Sequence, residues 1–214
     1  AEALARSGIA TALVVLAERN AAAPDRLTAQ WTFGRQPLGR GWVEVTVEDE
    51  ARRLDVGAPE LPRLLALLAI DARRAPALAA PDPERVLGPS LGDRGRAAGL
   101  DAATVRRLLP YVSTAGETQV NPNTASREVL LAVVGDPSLV DGWLRSRAQV
   151  AVDPAGATPA VAGRLTQRGQ YYRVSSTGGV GAARRTVMAV VRVLDGVDPT
   201  ILGWHALADS RPTT

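Results

Sequence analysis

Few side chains in this sequence could do acid–base or nucleophilic chemistry. His205 is the single histidine, and a Ser-His-Asp site would have to combine it with Asp209 and Ser210. These three residues lie in a C-terminal tail as mere sequence neighbours, which argues against a catalytic arrangement. The chain has no cysteine, which excludes thiol chemistry, cysteine zinc sites and disulfides. The sequence therefore predicts a protein that is not an enzyme.

Two further patterns could bind ions. Residues 178–181 contain three glycines, but they lie between two predicted strands and no Gly-Lys-Ser or Gly-Lys-Thr accompanies them. A glycine-rich hairpin turn over residues 177–181 is therefore predicted in place of a phosphate loop. The acidic run 48–50 could attract a cation, yet Arg52 and Arg53 follow and neutralise it. We interpret the run as a solvated face.

The basic residues are numerous but dispersed. All 25 of them are arginines and the formal net charge is only +3, which together with abundant Ala and Gly indicates a GC-rich coding bias. A nucleic-acid-binding protein usually shows a clustered basic stripe with aromatic residues between. Here the arginines occur in scattered pairs, which we interpret as solvated faces: Arg52-Arg53, Arg73-Arg74, Arg106-Arg107 and Arg184-Arg185.

The most specific local signal is a loop-to-helix junction at residues 120–135, Val-Asn-Pro-Asn-Thr-Ala-Ser-Arg-Glu-Val-Leu-Leu-Ala-Val-Val-Gly. Asn121 and Asn123 are predicted to bond neighbouring backbone groups, with Thr124 or Asn123 capping the helix. Gly135 is expected to end that helix. We interpret the junction as a structural motif comprising Asn121, Asn123, Thr124, Ala125 and, near the positive end of the helix, Glu128.

The elements before this junction follow from hydrophobic periodicity. Residues 1–19 predict a long amphipathic helix with an apolar stripe, and the stripe residues Leu4, Ile9, Leu13 and Leu16 are candidates for a partner interface. Residues 41–48 alternate as a half-buried strand, a shorter strand is expected at residues 30–33, and residues 34–41 would form the turn between them.

The middle of the chain, residues 59–150, is predicted to be helical. Leu61, Leu64, Leu65 and Leu68 form one stripe. Asp101 is predicted to cap a helix that carries Val105, Leu108, Leu109 and Val112, and Asp136-Pro137 begins another helix after the junction.

Strand signals return at residues 171–176 and 185–194, which should pair as an antiparallel hairpin. Strands on both sides of a helical block predict an α+β fold, with the first helix on an antiparallel sheet and a helical domain inserted between its strands. The predicted domains are residues 1–58, with the helix and first strands; residues 59–150, the helical insert; and residues 151–214, with a linker, the returning strands and a C-terminal tail.

This order and its motifs resemble the GspK family, the large minor pseudopilins of bacterial type II secretion systems. The resemblance covers most of the chain in pieces. It is carried by the Asn-x-Asn-Thr-Ala loop at residues 120–125, the strand at 41–56, Leu-Leu-Pro-Tyr-Val at 108–112, Tyr-Tyr-Arg-Val-Ser-Ser-Thr-Gly at 171–178 and Ile-Leu-Gly-Trp at 201–204. In fold, the resemblance implies a pseudopilin-like domain with a helical insert similar to SAM or helix-hairpin-helix modules.

In function, the resemblance implies a non-enzymatic tip subunit of the pseudopilus in a Gram-negative bacterium. A hydrophobic N-terminal helix, absent from this sequence, would anchor it in the inner membrane as a single-pass protein with this domain in the periplasm. The head would be too bulky to accept another subunit above it. Its partners would be other minor pseudopilins, GspI-like and GspJ-like, and also the secretion channel or secreted substrates.

The sequence departs from the family at its calcium segment. The family commonly carries Asp-Trp-Ile-Asp-x-Asp in the insert, whereas only Ile70-Asp71 remains here, and Asp82, Glu84 and Asp93 are too widely spaced to predict clustered oxygen ligands. Calcium is therefore implied by the resemblance but not by the residues, and no cofactor is predicted.

The alternative function is a helix-hairpin-helix nucleic-acid-binding protein, since Asn-x-Asn-Thr-Ala junctions also open such hairpins. Those modules offer free glycine-hairpin amides to phosphate. Here Gly135 is followed by Asp136 and Pro137, which place a carboxylate and a proline where free amides are needed. No nucleic-acid partner is therefore predicted.

Overall fold

A computed structural model describes residues 1–22, 30–80, 90–194 and 197–207 of the chain. The chain forms two compact units, Ala1–Asp49 with Gln170–Thr214, and Glu50–Gly169. The second unit is inserted in sequence between two strands of the first. It takes in residues 50–58 and 151–169, which the sequence analysis assigned to the flanking domain, because residues 50–56 bond to residues 111–113 of the insert.

In chain order, the helices and strands of the described residues are α1 Glu2–Ala22, β1 Gln30–Leu38, β2 Gly41–Asp49, β3 Leu54–Asp55, α2 Leu61–Leu67, α3 Ala75–Ala79, α4 Leu91–Ala97, α5 Ala102–Leu108, β4 Val112–Ser113, α6 Arg127–Val134, α7 Pro137–Ser146, α8 Pro159–Ala162, β5 Tyr171–Val180, β6 Ala183–Arg192 and β7 Thr200–Leu207.

The first unit is a five-stranded antiparallel sheet with the order β1-β2-β5-β6-β7. Its central pair joins β2 to β5, which are separated in sequence by the whole second unit. Asp49, where the chain leaves the sheet, lies opposite Tyr172, near where the chain returns. The second unit is therefore inserted between two neighbouring residues of the sheet, and the hydrogen bonding between β2 and β5 is not interrupted.

Strands β1 and β5 run further than predicted. β1 continues to Leu38 through an irregularity between Phe33 and Gln36, so the turn shrinks to the two residues before Gly41. Strand β5 runs through the predicted glycine turn to Val180, and Gly181, with φ of 56°, begins the two-residue turn. Positive φ at the first turn residue suits a tight hairpin.

The predicted C-terminal tail contains a fifth strand. β7 pairs with β6, and His205 lies opposite Met188 as an exposed residue of this edge strand. Gly203 interrupts its apolar run, and an edge strand with exposed side chains gives only a weak alternating signal. Asp209 and Ser210, the other members of the candidate triad, lie outside the described residues.

The core of the first unit lies between α1 and one face of the sheet. Val43, Val45 and Val47 of β2 are buried beneath the helix, as the predicted alternation requires. They meet Ile9 and Leu16 of α1, each at most 2% exposed. Each fully buried aliphatic side chain of this kind contributes about 1.5–3 kcal/mol.

Small residues allow α1 to pack so closely on the sheet that no side chain fits between the two backbones at these points. A Cβ atom at Gly8 would overlap the Ser176 hydroxyl and lie 2.6 Å from a methyl group of Val43. A Cβ atom at Gly178 would overlap the Ala1 carbonyl oxygen and lie 2.6 Å from the Ala5 amide nitrogen. Glycine on both the helix and the sheet therefore sets the spacing of the two layers.

The second unit has a separate apolar core. Leu61, Leu64 and Leu65 of α2 form the predicted buried stripe. Asp101 caps α5 as predicted, accepting from the Thr104 amide at 2.7 Å. However, α5 ends at Leu108, before Pro110, because proline disfavours helix at the preceding residue. Val112 accordingly lies in β4, paired in parallel with β3, and not on the helix.

The close contact of α1 with the sheet predicts the effect of a single methyl group. Gly8→Ala should lower the free energy of unfolding by about 1–3 kcal/mol, because the added carbon overpacks the contact. Gly142→Ala is the matched control, since no atom lies within 4 Å of a Cβ atom placed there, in the interior of α7. That variant should gain up to about 1 kcal/mol from helix propensity. Equal shifts of both variants in urea unfolding would contradict the assignment.

Candidate partner interface

Helix α1 has a buried face and an exposed face, and the predicted interface residues are divided between the core and its margin. Ile9 and Leu16 are buried in the core of the first unit, so they cannot form a partner interface while the unit is folded. Leu4 and Leu13 are half-buried at its margin. The sheet covers this part of the apolar stripe, because apolar residues at helical spacing fall on one face of α1. Of the four interface candidates, Leu4 and Leu13 lie where a partner could reach them.

The opposite face of α1 is exposed. Small side chains run along it at Ala3, Ser7, Ala10, Thr11 and Val14, of which Val14 is 58% exposed, and the charged Arg6 and Glu18 are exposed beside them. The Ser7 hydroxyl donates to the Ala3 carbonyl at 3.0 Å, and the Thr11 hydroxyl to the Ser7 carbonyl at 3.2 Å. Because these hydroxyls are already bonded within the helix, the strip of small residues is only weakly polar.

The Asn-Thr-Ala junction is buried and hydrogen-bonded in place. The Asn121 side chain accepts from the Asn123 amide at 3.0 Å, as predicted, and also donates to the Gln167 carbonyl at 3.2 Å. The Asn123 side chain departs from the prediction, because it bonds the backbone of a distant residue. Its Oδ1 accepts from the Val152 amide at 2.7 Å, and its Nδ2 donates to the Val152 carbonyl at 3.4 Å.

The cap of α6 is Ser126, and neither Asn123 nor Thr124. The Ser126 hydroxyl accepts from the Val129 amide at 3.4 Å, and the Thr124 hydroxyl instead donates to the Asn121 carbonyl at 3.4 Å. The loop continues for two residues beyond Thr124 because its side chains are occupied within the loop. Gly135 ends the helix with φ of 78°, as predicted.

Residues around α6 complete the motif. Ala125 is fully buried, and its carbonyl oxygen accepts from Arg147 Nη1 at 2.6 Å. Glu128 lies in the first turn of α6, where a negative charge is favourable. Arg127 forms a two-point ion pair with Asp141 of α7, at 2.7 and 3.1 Å. These bonds hold the junction and the next helix together, so its polar side chains serve the fold of the second unit.

The acidic run at residues 48–50 is not a solvated face. Asp49 and Glu50 are both 0% exposed, and Arg53 is only 5% exposed. Glu50 accepts from Arg53 Nη1 at 3.0 Å and from the Ser113 hydroxyl at 2.5 Å. Buried charges persist when they are paired and hydrogen-bonded. Arg53 therefore neutralises Glu50 within the interior of the second unit.

A half-buried carboxylate lies beside this cluster. Asp55 accepts from the Gly57 amide at 2.8 Å and from the Gly116 amide at 3.1 Å. Burial nevertheless raises the pKa of Asp55 above its ordinary value, because desolvation outweighs these hydrogen bonds. Because the pKa of Asp55 is raised in the folded state, its ionised carboxylate destabilises the fold at neutral pH. Protonation relieves this destabilisation as the pH falls through the raised pKa.

The acidic residues considered for calcium have other partners. Asp71 accepts from the backbone and side chain of Arg73, and the Arg73 hydrogen bond lowers the pKa of Asp71. Asp93 accepts from the Ser90 hydroxyl at 2.8 Å. Asp82 and Glu84 lie outside the described residues. Over the described ranges, no three His, Cys, Asp or Glu side chains are grouped as a metal site requires.

The hairpin that would bind nucleic acid has its amides occupied. The Gly135 amide donates to the Leu131 carbonyl at 3.0 Å, closing α6. The Asp136 side chain accepts from the amides of Ser138 at 2.8 Å and Leu139 at 3.2 Å. The carboxylate therefore takes up the two amides at the start of α7 that a phosphate would need, as the sequence predicted.

Comparison with known proteins shows a likeness to solved structures. No protein-family model and no curated protein matches the chain. The structure is similar to a chain of the GspK-GspI-GspJ complex from the enterotoxigenic Escherichia coli type 2 secretion system. The TM-score is 0.65 at 17% sequence identity, over 95% of this chain and 94% of that chain. The likeness shows the fold, so the predicted α+β architecture and the resemblance in fold are confirmed.

The Ser126 cap predicts a local effect on stability. Ser126→Ala should lower the free energy of unfolding by about 0.5–2 kcal/mol, since one amide of the first turn of α6 loses its acceptor. Ser138→Ala is the control, because Ser138 donates its backbone amide to the Asp136 side chain and its hydroxyl takes no part in that cap. Thermal unfolding of both variants measures the difference, and an unchanged Ser126→Ala melting temperature would contradict the assignment.

The Glu50–Arg53 pair predicts a larger effect. Glu50→Ala should cost about 3–5 kcal/mol, because it removes a carboxylate from a buried guanidinium. Glu60→Ala is the comparison: Glu60 pairs with Arg164 at 2.8 Å, but their side chains are 16% and 28% exposed, so water can replace the lost partner. Urea unfolding should show the smaller loss for Glu60→Ala. The reverse order would show that the buried cluster does not stabilise the second unit.

Proposed function

We propose that this protein is a minor pseudopilin of a type II secretion system, a structural subunit at the tip of the pseudopilus that supports protein export across the outer membrane. One observation carries the proposal. Helix α1 lies on the sheet, and the helical unit enters between β2 and β5, in an architecture matched over 95% of the chain by a chain of the GspK-GspI-GspJ complex.

The role proposed is assembly and not catalysis. The chemistry-bearing side chains of the described residues are used by the fold, as Glu50 and Asn121 illustrate. His205 lies exposed on an edge strand. This placement supports a subunit whose function resides in its surfaces.

The proposed partners are GspI-like and GspJ-like pseudopilins, with the secretion channel or secreted substrates as further partners. The solved complex contains GspK, GspI and GspJ together. In this chain the exposed face of α1, residues 3–14, supports a helix-to-helix interface, because small side chains let two helices approach closely. Val14 is the largest exposed apolar side chain on that face.

The proposed location is the periplasm, with a hydrophobic segment preceding Ala1 that anchors the protein in the inner membrane. No helix of the described residues is long and apolar enough to cross a bilayer. Helix α1 would continue from the proposed anchoring segment.

Co-expression with the GspI-like and GspJ-like proteins of the same bacterium tests the proposal. The parent chain should co-purify with both, and size-exclusion chromatography with light scattering should give the mass of the assembled complex. Val14→Glu should weaken the complex by at least about tenfold, since it places a charge at the core of a helix interface. Val150→Glu is the matched control, at a valine that is 70% exposed in the second unit.

Two results would contradict the proposal, one its function and the other its interface. The first is the absence of any complex with either pseudopilin. The second is an equal loss for the Val14 and Val150 variants, which would reject α1 as the interface. A preserved melting temperature in both variants shows that the comparison reports binding.

A further inference from the structure

One end of the first unit carries a concentrated positive charge. The hairpin segments 34–43 and 177–186 contain Arg35, Arg40, Arg184 and Arg185, and neither segment contains an Asp or Glu. All four arginines are exposed. Among the described residues, no carboxylate pairs with Arg35, Arg40 or Arg184. No local sequence signal marks this cluster, because its members come from two hairpins far apart in the chain.

An indole ring organises the arginines. Trp42 lies directly on Gly179, where a Cβ atom would overlap the ring. The Arg35 guanidinium lies 4.0 Å from the ring centroid of Trp42, and that of Arg184 lies 5.6 Å away. Stacking on an aromatic face leaves the guanidinium N–H groups free at the edge, where they can donate to a phosphate at two points.

The surrounding surface is amphipathic. Leu38 and Val180, beside the two turns, are each 39% exposed. Trp42 is half-exposed, on the face of the sheet opposite to the buried Val43. Exposed apolar groups, an indole and arginines together are typical of residues at a membrane–water interface, where the ring sits at headgroup level.

The cluster lies at the end of the first unit where α1 begins, and this position indicates its ligand. Helix α1 begins at this end, since a Cβ atom at Gly41 would lie 2.6 Å from Leu4 and 2.9 Å from Val180. Under the proposed function, a preceding hydrophobic segment continues from α1 into the inner membrane. The cluster would then face the bilayer surface, and this step rests on that function.

We propose that the arginine–tryptophan patch, defined as Arg35, Arg40, Trp42 and Arg184, binds the headgroups of anionic phospholipids. The guanidinium groups bind lipid phosphates, and Trp42, Leu38 and Val180 contact the boundary of the acyl region. The patch thereby holds the sheet against the membrane before the subunit enters an assembly. The positive charge of the patch attracts it to an anionic bilayer, and salt screens that attraction.

Vesicle sedimentation with the 214-residue chain tests the proposal. The parent should bind vesicles of phosphatidylglycerol and phosphatidylcholine, bind pure phosphatidylcholine vesicles at least about tenfold more weakly, and dissociate at high salt. Arg35→Gln/Arg184→Gln should lower the partition coefficient about 25-fold, from about fivefold per arginine. Arg40→Gln alone should lower it about fivefold, which keeps the test valid if the double variant is unstable.

Arg145→Gln/Arg192→Gln is the matched control. It removes the same charge from exposed arginines that do not belong to the patch, one on α7 of the second unit and one at the opposite end of β6. Binding of this control should change less than about twofold. Equal losses in the two double variants would overturn the proposal, as would a parent that ignores anionic vesicles or binds neutral ones equally well.

Co-purification with the pseudopilin partners separates this inference from the proposed function. A patch variant that loses vesicles and keeps its partners supports the lipid site. A patch variant that keeps vesicles and loses its partners overturns it, because the patch then contacts an acidic protein surface. A parent that binds anionic vesicles through the patch and never binds a pseudopilin supports the lipid site while rejecting the pseudopilin function.

Discussion

The first unit depends on the very close packing of the α1 backbone against the sheet. Gly8 on the helix and Gly178 on β5 leave no room for a side chain between the two layers. Close approach lets one helix cover three strands with few large side chains, since Ala5 and Ala12 are fully buried beside Ile9. It also has a cost: the Ser176 hydroxyl beneath Gly8 is buried and, among the described residues, has no hydrogen-bond partner.

The pairing of β2 with β5 explains how the first unit accommodates a second one. Residues adjoining both ends of the insertion lie opposite each other in the ladder, as Asp49 and Tyr172 show. A long insertion between such neighbouring points costs little more closure entropy than a shorter one. The second unit meets its own folding requirements through an apolar core and the buried Glu50–Arg53–Ser113 cluster. Each unit is therefore stabilised by its own interior.

With the polar residues of both units largely engaged in the fold, function is left to surfaces. Helix α1 offers a small-residue face beside its buried one, and the hairpin end offers arginines stacked on Trp42. A sheet presents different chemistry at its face and at its hairpin ends, because side chains alternate along strands while turns expose theirs. One unit can thus offer a helix to a protein partner and a basic end to lipid phosphates.

The sequence by itself determined the elements whose signals are local. The caps at Asp101 and Asp136 and the end of α6 at Gly135 depend on residues within one turn, so they could be predicted correctly. The α1 helix, the alternation of β2 and the β5–β6 hairpin followed from periodicity. Tertiary structure alone decided how deeply each stripe residue of α1 is buried and that Glu50 bonds to Ser113 inside the second unit, since Ser113 lies far away in sequence. It also made β7 an edge strand and brought Arg35 and Arg184 to one indole, because contacts between distant residues leave no periodic signal in the chain.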